Sequence, residues 1–444
     1  MGAKTLSTDC CIVGGGPAGM MLGLLLARAG IDVVVLEKHR DFFRDFRGDT
    51  IHPSTLDLID QLGLREKFEA IPHSSIHRLD VVVNGTRLRP VDFRHLPKPN
   101  REIALMPQWD FLDLLADEAR GMPNFHLIMD AEATRLRRKL RLPKNADAGK
   151  HPRGVGLRIA DRDGRGGSQR ITGVVASTPD GPLDISAGLT VAADGRDSRM
   201  RAASALPVRN FGVAIDVLWF RMPRPAVTPP STLGYLNERT MVVTIPRPDY
   251  YQTAMLIPKG GFDAVRDAGL PAFRSDIVDA AAFLAPVVSS LESWDQVSLL
   301  SVQVNRLERW YLPGFLCIGD AAHAMSPAFG VGINYALQDA VAAANILSGP
   351  MTAGGVTKRH LAAVQRRRAW PVRMIQPVQL QLHKVIARPN AGAILPNPLP
   401  RRVKLALAVL LPSARIFTAR LIGRGFRPER IRSELLHPAA TRAR

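Results

Sequence analysis

The chain has 444 residues, 46% of them apolar, enough to bury a large core and to form two interlocked domains. Its net charge of +19 is uneven: from residue 355 onward 19 Lys and Arg face only Glu429 and Glu434, a balance of +17, which leaves +2 for everything before. That near-neutral body excludes an electrostatic footprint for nucleic acid. The basic C-terminal stretch suits an anionic lipid surface, a nucleic acid or an acidic partner, or simply a solvated helical face.

In chain order, residues 8–13 and 31–36 are apolar, strand-like runs on either side of a small, apolar helix over 17–29 that Gly30 stops, a βαβ unit with parallel strands. Helices are expected over 54–62, ended by Gly63, and 109–120, ended by Gly121. Runs at 77–83 and 86–91, joined by Asn84-Gly85, form a hairpin, and the basic, Gly-rich stretch 137–173 forms another with a long exposed loop. A strand over 185–193 leads into Asp194-Gly195. Alternating runs at 213–220, 232–236, 241–245 and 253–257 predict a mostly antiparallel sheet, with helices near 262–268 and 275–284. A buried strand over 315–318 and a helix over 333–347 follow, and beyond Gly349 the pattern is helical and interrupted by prolines.

Cys10, Cys11 and Cys317 all sit in apolar strand-like runs, which predicts buried free thiols rather than a disulfide or metal site, and a reducing cytoplasm. Residues 1–8 are too short and polar for a secretory signal, and no run reaches the roughly 18–20 apolar residues of a membrane span. The best late candidate, 405–411, is cut short by Pro412.

The first strand–helix turn carries G-x-G-x-x-G at Gly14, Gly16 and Gly19, with Pro17 and Ala18 inside it. The first glycine permits the tight turn, the second lets a pyrophosphate approach the backbone, and the third lets helix and strand pack closely. The helix N-terminus then offers free N–H groups to phosphate. Glu37, beside Lys38 at the end of the second strand, stands where a carboxylate accepts from ribose hydroxyls. These residues say dinucleotide without saying which. Gly319-Asp320, at the end of an apolar strand, and Gly330 to Asn334, opening a helix, add a second station. There Asp320 can accept from a ribityl chain, and the amides of Gly332, Ile333 and Asn334 can face a flavin ring edge. A nicotinamide dinucleotide needs no such station; FAD does.

With these stations the chain resembles the FAD-dependent class A aromatic-ring monooxygenases, the family of para-hydroxybenzoate hydroxylase and the ubiquinone-biosynthesis hydroxylases, over residues 8 to 350. Asp194 to Arg201 resembles the family's D-G-x-x-S-x-x-R segment, linked to FAD pyrophosphate and to NAD(P)H use, and residues 319–334 resemble its G-D-A-A-H-x-x-x-P-x-x-G-x-G-x-N stretch, with Pro327 beside the flavin. Arg47 and Gln108 match family positions that contact FAD. Ala192 departs from the glycine usual before Ala-Asp-Gly. The resemblance implies an interleaved architecture: a Rossmann-like α/β FAD domain from 1–76, 101–205 and 295–350, a mostly antiparallel β-sheet substrate domain from 77–100 and 206–294, and a basic helical region over 351–444. It also implies reduction of FAD by NADPH or NADH, reaction with O2 to a flavin hydroperoxide, and hydroxylation of an apolar aromatic or polycyclic small molecule.

The chemistry implied needs no metal and no protein nucleophile, and no general base is assigned. His323 and His52 are candidates with structural readings at least as strong, and Tyr235, Tyr250 and Tyr251 are candidates for a phenol contact or plain sheet core. The stretch Trp219 to Pro223 lacks the W-x-W-x-I-P pattern of flavin-dependent halogenases. Epoxidation, a reductase or dehydrogenase acting on prenyl or quinone-like substrates, and a docking protein with a structural FAD are the alternatives. No nucleic-acid partner is expected. The expected location is the cytoplasm, with the basic region able to hold the protein at the inner membrane face or on an acidic partner.

Overall fold

The computed structural model describes residues 4–43, 50–140, 169–229, 232–238, 240–387 and 400–437. Arg47 and most of the loop in the predicted 137–173 hairpin lie outside them.

The first strand, Lys4–Val13, lies parallel to Val33–Leu36 on one side and to Gly181–Ala192 on the other. Phe125–Ile128 extends the sheet beyond Val33–Leu36, and Phe315–Cys317 extends it beyond Gly181–Ala192, both parallel. The four residues Val33–Leu36 are all buried, the continuous apolar run expected of a strand covered on both faces. The short strand Tyr311–Leu312 closes one edge, and the antiparallel pair Glu132–Leu140 and Gln169–Thr178 joins through Gly181–Ala192. The helix Pro17–Arg28 starts with proline at its first turn and is buried from Ala18 to Arg28. Its Gly23 allows close packing on the sheet, since a methyl group there would stand 2.8 Å from the Phe125 ring. Helix Gln108–Arg120 and the longer Gly332–Thr352 pack beside it.

A seven-stranded sheet stands apart, in the order Ser298–Leu300, Ile215–Pro223, Tyr250–Pro258, Met241–Pro246, Thr232–Leu236, Arg78–Val83, Thr86–Asp92. It is antiparallel except where Thr232–Leu236 runs parallel to Arg78–Val83. Two expectations are corrected here. Ser298–Leu300, expected with the cofactor domain, pairs with Ile215–Pro223 in this second sheet; a three-residue strand is too short to show a period. The expected helix over 275–284 is Leu270–Ala280 followed by a separate tight turn, Ala282–Leu284.

Each face of this sheet has its own cover. Leu218, Phe220, Met222, Tyr235, Val242 and Tyr251 pack against Phe273 and Ile277 of the helix Leu270–Ala280. On the opposite face Trp219, Val243 and Ile245 join a cluster with Ile103, Leu105 and Phe329. The prolines expected to interrupt the C-terminal pattern do not: Pro371 and Pro377 lie inside helix Lys358–Ile386, and Pro412 inside helix Arg401–Gly423. Pro412 is on the exposed side, where water can take the carbonyl that loses its amide partner. Among the described residues no helix is long and apolar enough to cross a membrane.

Candidate active site

Parallel pairing aligns Leu36, Val13, Ala192 and Cys317 at the carboxyl ends of neighbouring strands, the edge at which open α/β sheets place their ligands. The three glycine-bearing motifs all leave the sheet there. Gly14, at φ +107°, lies so close to the second motif that a methyl group on it would stand 2.4 Å from the Ala193 oxygen. A methyl group on Gly19 would stand 1.9 Å from the Gly14 oxygen. Gly319, at φ +58°, fits between Ala18 and Ala336, with methyl distances of 3.2 and 3.3 Å, so the N-terminal parts of two helices meet over it. Only glycine has the room and the backbone freedom at these points.

Two other glycines have space around them. A methyl group on Gly16 or on Gly332 meets nothing within 4 Å. Gly16 caps helix Pro17–Arg28 and Gly332 opens helix Gly332–Thr352, and neither helix has a side-chain cap. Both helices therefore begin beside open space with no side-chain cap, the setting in which first-turn N–H groups can serve an anion or an electron-rich ring edge. Glu37, buried at the end of its strand, accepts from the Gly15 amide at 3.0 Å through one oxygen and from the His39 amide at 3.2 Å through the other. Lys38 is exposed beside it, and Gln108 is the half-buried first residue of its helix.

The D-G-x-x-S-x-x-R segment is a small hydrogen-bonded unit. Asp194 accepts from the Ser198 hydroxyl at 2.5 Å and from the Met200 amide at 3.1 Å, while Ser198 caps helix Arg199–Ser204 by accepting from the Arg201 amide at 2.9 Å. Burial raises the Asp194 pKa above the usual carboxylate range, against the pull of those donors. The Arg201 guanidinium then reaches the third motif, donating to the backbone oxygens of Asp320 at 3.4 Å and Ala321 at 3.3 Å, and also to that of Arg196. The Asp320 side chain faces Arg196 at 3.7 Å and stays partly exposed.

Behind the third motif lies a buried charged chain. Asp339 accepts from the Gly319 amide at 3.1 Å, from Arg368 at 2.9 Å, and pairs with His323 at 2.5 Å. Burial alone would raise the Asp339 pKa, but its contacts with His323 and Arg368 hold it below its ordinary value. Arg368 continues to Glu429 at 3.3 Å. His323 thus braces the motif, with its ring against Trp310 at 5.0 Å. The sequence offered one sign of this chain, a carboxylate inside the apolar helix 332–352, but not its partners.

The turn from Pro327 to Gly330 is held from two sides. Ser326 meets His383 at 2.5 Å and accepts from the Ala328 amide at 3.0 Å, and Gln379 donates to the Ser326 and Ala328 oxygens at 3.2 and 3.1 Å. From the other side the Thr50 hydroxyl donates to the Gly330 oxygen at 3.1 Å. Asn334 accepts from the His52 amide at 3.3 Å and the Thr55 hydroxyl at 2.6 Å. His52 donates from Nδ1 to the Ile422 oxygen at 2.8 Å, and burial lowers its pKa to about 4 despite that bond. Tyr235 and Tyr251 are not near this turn: they pack on Phe283 at 5.2 and 5.6 Å, on the other face of the seven-stranded sheet. Tyr250 stacks with Arg221 at 5.2 Å.

A Rossmann-type α/β sheet with a two-station dinucleotide cradle, joined to a second sheet, defines a flavin-dependent oxidoreductase fold. A family model described as FAD binding domain matches residues 7–141 and 162–378, and the chain belongs to that family. It is 29% identical over 433 residues to 6-methylpretetramide 4-monooxygenase of Streptomyces rimosus, covering 96% of this chain and 95% of that protein. It is 26% identical over 349 residues to 12-dehydrotetracycline 5-monooxygenase/anhydrotetracycline 6-monooxygenase of Streptomyces rimosus subsp. rimosus, covering 75% of this chain and 61% of that protein. Among solved structures, an anhydrotetracycline hydroxylase from Streptomyces rimosus superposes with a TM-score of 0.69 at 20% identity, covering 94% of this chain and 76% of that one, a likeness of fold. The chain is an FAD-dependent monooxygenase, of a family in which NAD(P)H is the typical co-substrate.

Proposed function

We propose that this enzyme hydroxylates a polycyclic, largely apolar aromatic substrate held between the seven-stranded sheet and the Pro327–Gly330 turn. The observation that carries this reading is the composition of the sheet face on that side. Pairing places Gly234, Val243, Ala254 and Trp219 in one row across four strands, and Trp219 and Val243 share a cluster with Phe329 of the turn. An apolar row that shares its cluster with an aromatic ring suits fused rings better than a small charged acid. Trp219 adds one polar handle: its buried indole N–H has no acceptor among the described residues, so a phenol or carbonyl oxygen of the substrate can take it. The two tetracycline-type relatives, named for polycyclic substrates, support the same class.

FAD, reduced by NADPH or NADH, supplies the electrons and activates O2. The protein's part is binding, orientation and exclusion of water. We assign Gly14, Gly16, Pro17, Ala18 and Gly19 to the pyrophosphate, Glu37 and Lys38 to the adenosine side, and Arg47 and Gln108 to further cofactor contacts. Asp194 orders its segment; Asp320 would accept from the ribityl chain, and Gly332, Ile333 and Asn334 would offer amides to the ring edge, near Pro327. Uncapped helix starts favour negative charge there, which stabilises the reduced cofactor. NAD(P)H oxidation by the FAD-loaded enzyme against a panel of monocyclic phenols and fused-ring phenols, read with product mass, tests the substrate class. Hydroxylated product from fused rings alone supports it; product from monocyclic phenols alone removes it.

A further inference from the structure

The large apolar side chains that remain exposed are concentrated on two helices of the basic C-terminal region. Helix Lys358–Ile386 exposes Trp370, Met374, Val378 and Val385. Their spacing puts them on one face together with the exposed Arg366, Arg373 and Lys384. Helix Arg401–Gly423 exposes Leu405, Val409, Leu410 and Phe417, each more than 60% accessible, with Ile416 beside them and Arg401, Arg402 and Arg420 on the same side. Neither helix contains an Asp or Glu.

The outward aim of the second face is fixed. Its opposite side is tied to the edge strand Thr86–Asp92, where Arg415 donates to the Arg89 oxygen at 2.8 Å and the Thr418 hydroxyl donates to the Pro90 oxygen at 2.5 Å. Ala419 and Ile422 are buried below. The apolar side chains therefore cannot be the helix's own packing face waiting to close.

Charge decides between occupants. A second copy of the chain would bring another face from the region of charge +17 against this one, opposing association. A bilayer with anionic headgroups offers both what the face lacks, negative charge, and what it needs, an apolar layer a few ångströms deep. Arg side chains can lay their stems along the apolar surface and keep their charge at headgroup level. We propose that helix Arg401–Gly423 docks the enzyme on an anionic lipid surface, with Leu405, Val409, Leu410 and Phe417 entering the acyl boundary.

The test is sedimentation of the FAD-loaded full chain with phosphatidylcholine vesicles, with and without phosphatidylglycerol. The expected result is partition onto the anionic vesicles only, weakening with salt. The variant Leu405→Ser/Val409→Ser/Leu410→Ser/Phe417→Ser should lose at least about tenfold in partition, as should Arg401→Gln/Arg402→Gln/Arg420→Gln. Because all these side chains are exposed, melting temperature and NAD(P)H oxidation should stay at wild-type values in both. No partition of the wild type onto anionic vesicles would overturn the proposal. So would a wild-type dimer that the apolar variant splits, which assigns the face to a second copy. Binding to soluble polyglutamate without vesicle binding would assign it to an acidic protein instead.

Discussion

The Nη1 of Arg201 lies 3.4 Å from the backbone oxygen of Asp320 and donates to it. One side chain thereby ties the D-G-x-x-S-x-x-R segment to the backbone of the third glycine-bearing motif, more than a hundred residues away. It also gives the arginine at the end of D-G-x-x-S-x-x-R a task that needs a planar fork rather than a charge, since its acceptors are carbonyls.

Arg201→Lys keeps the charge and loses the fork. FAD affinity of the apoprotein, followed by flavin fluorescence, should fall by about tenfold, with only a small drop in melting temperature. Wild-type affinity in both Arg201→Lys and Arg201→Ala would show that the clamp is idle.

Two kinds of glycine should respond differently to alanine. Gly14→Ala forces a methyl group to 2.4 Å from the Ala193 oxygen at φ +107°, and should cost about 3 kcal/mol or more of folding stability. Gly16→Ala and Gly332→Ala meet no protein atom, so both should fold like wild type while binding FAD poorly. Urea unfolding of the apoproteins beside FAD titration separates the two effects. Full FAD affinity in Gly16→Ala would remove the pyrophosphate from that position.

His52 predicts an acid limit. Its folded pKa of about 4 lies below the ordinary 6.5, so the unfolded chain binds the extra proton in the window between them. The contribution is complete above 6.5 and declines as pH falls towards about 4, by up to about 3 kcal/mol. His52→Gln, which can keep the donor to Ile422, should lose less stability than wild type between pH 7 and pH 5 in urea titrations. Parallel pH profiles for the two proteins would exclude His52 as the source.

Trp219→Phe keeps the ring and removes the N–H that has no acceptor among the described residues. With a fused-ring phenol as substrate, KM should rise several-fold, about 1 kcal/mol of lost binding, while FAD content and melting temperature stay unchanged. An unaltered KM would place the indole outside the substrate site.

How much of this was legible in the sequence depends on the range of the physics involved. Gly14, Gly19 and Gly319 were readable because tight turns and close approach leave no other residue a place, and both βα turns follow apolar strands. Glu37 was readable from its position after the second strand, although its hydrogen bonds to Gly15 and His39 were not. The Asp339–Arg368–Glu429 chain was hidden because it is assembled from three distant segments with no local pattern. Tyr235 and Tyr251 show why alternation is an incomplete guide: it sorts strand residues into two faces without saying which one the helix Leu270–Ala280 covers. The prolines beyond Gly349 were read as breaks from local rules, which tertiary packing overrides at the buried Pro371 and solvent exposure overrides at Pro377 and Pro412.

The central claim is that this chain places one atom of dioxygen on a fused aromatic ring. The direct measurement is mass spectrometry of the product formed by FAD-loaded enzyme, NADPH or NADH, a fused-ring phenol and isotopically labelled dioxygen. The predicted result is a product carrying a single labelled oxygen, in amounts that track NAD(P)H consumed. Cofactor consumption with only hydrogen peroxide formed across the fused-ring panel, or a product whose new oxygen comes from water, would contradict it.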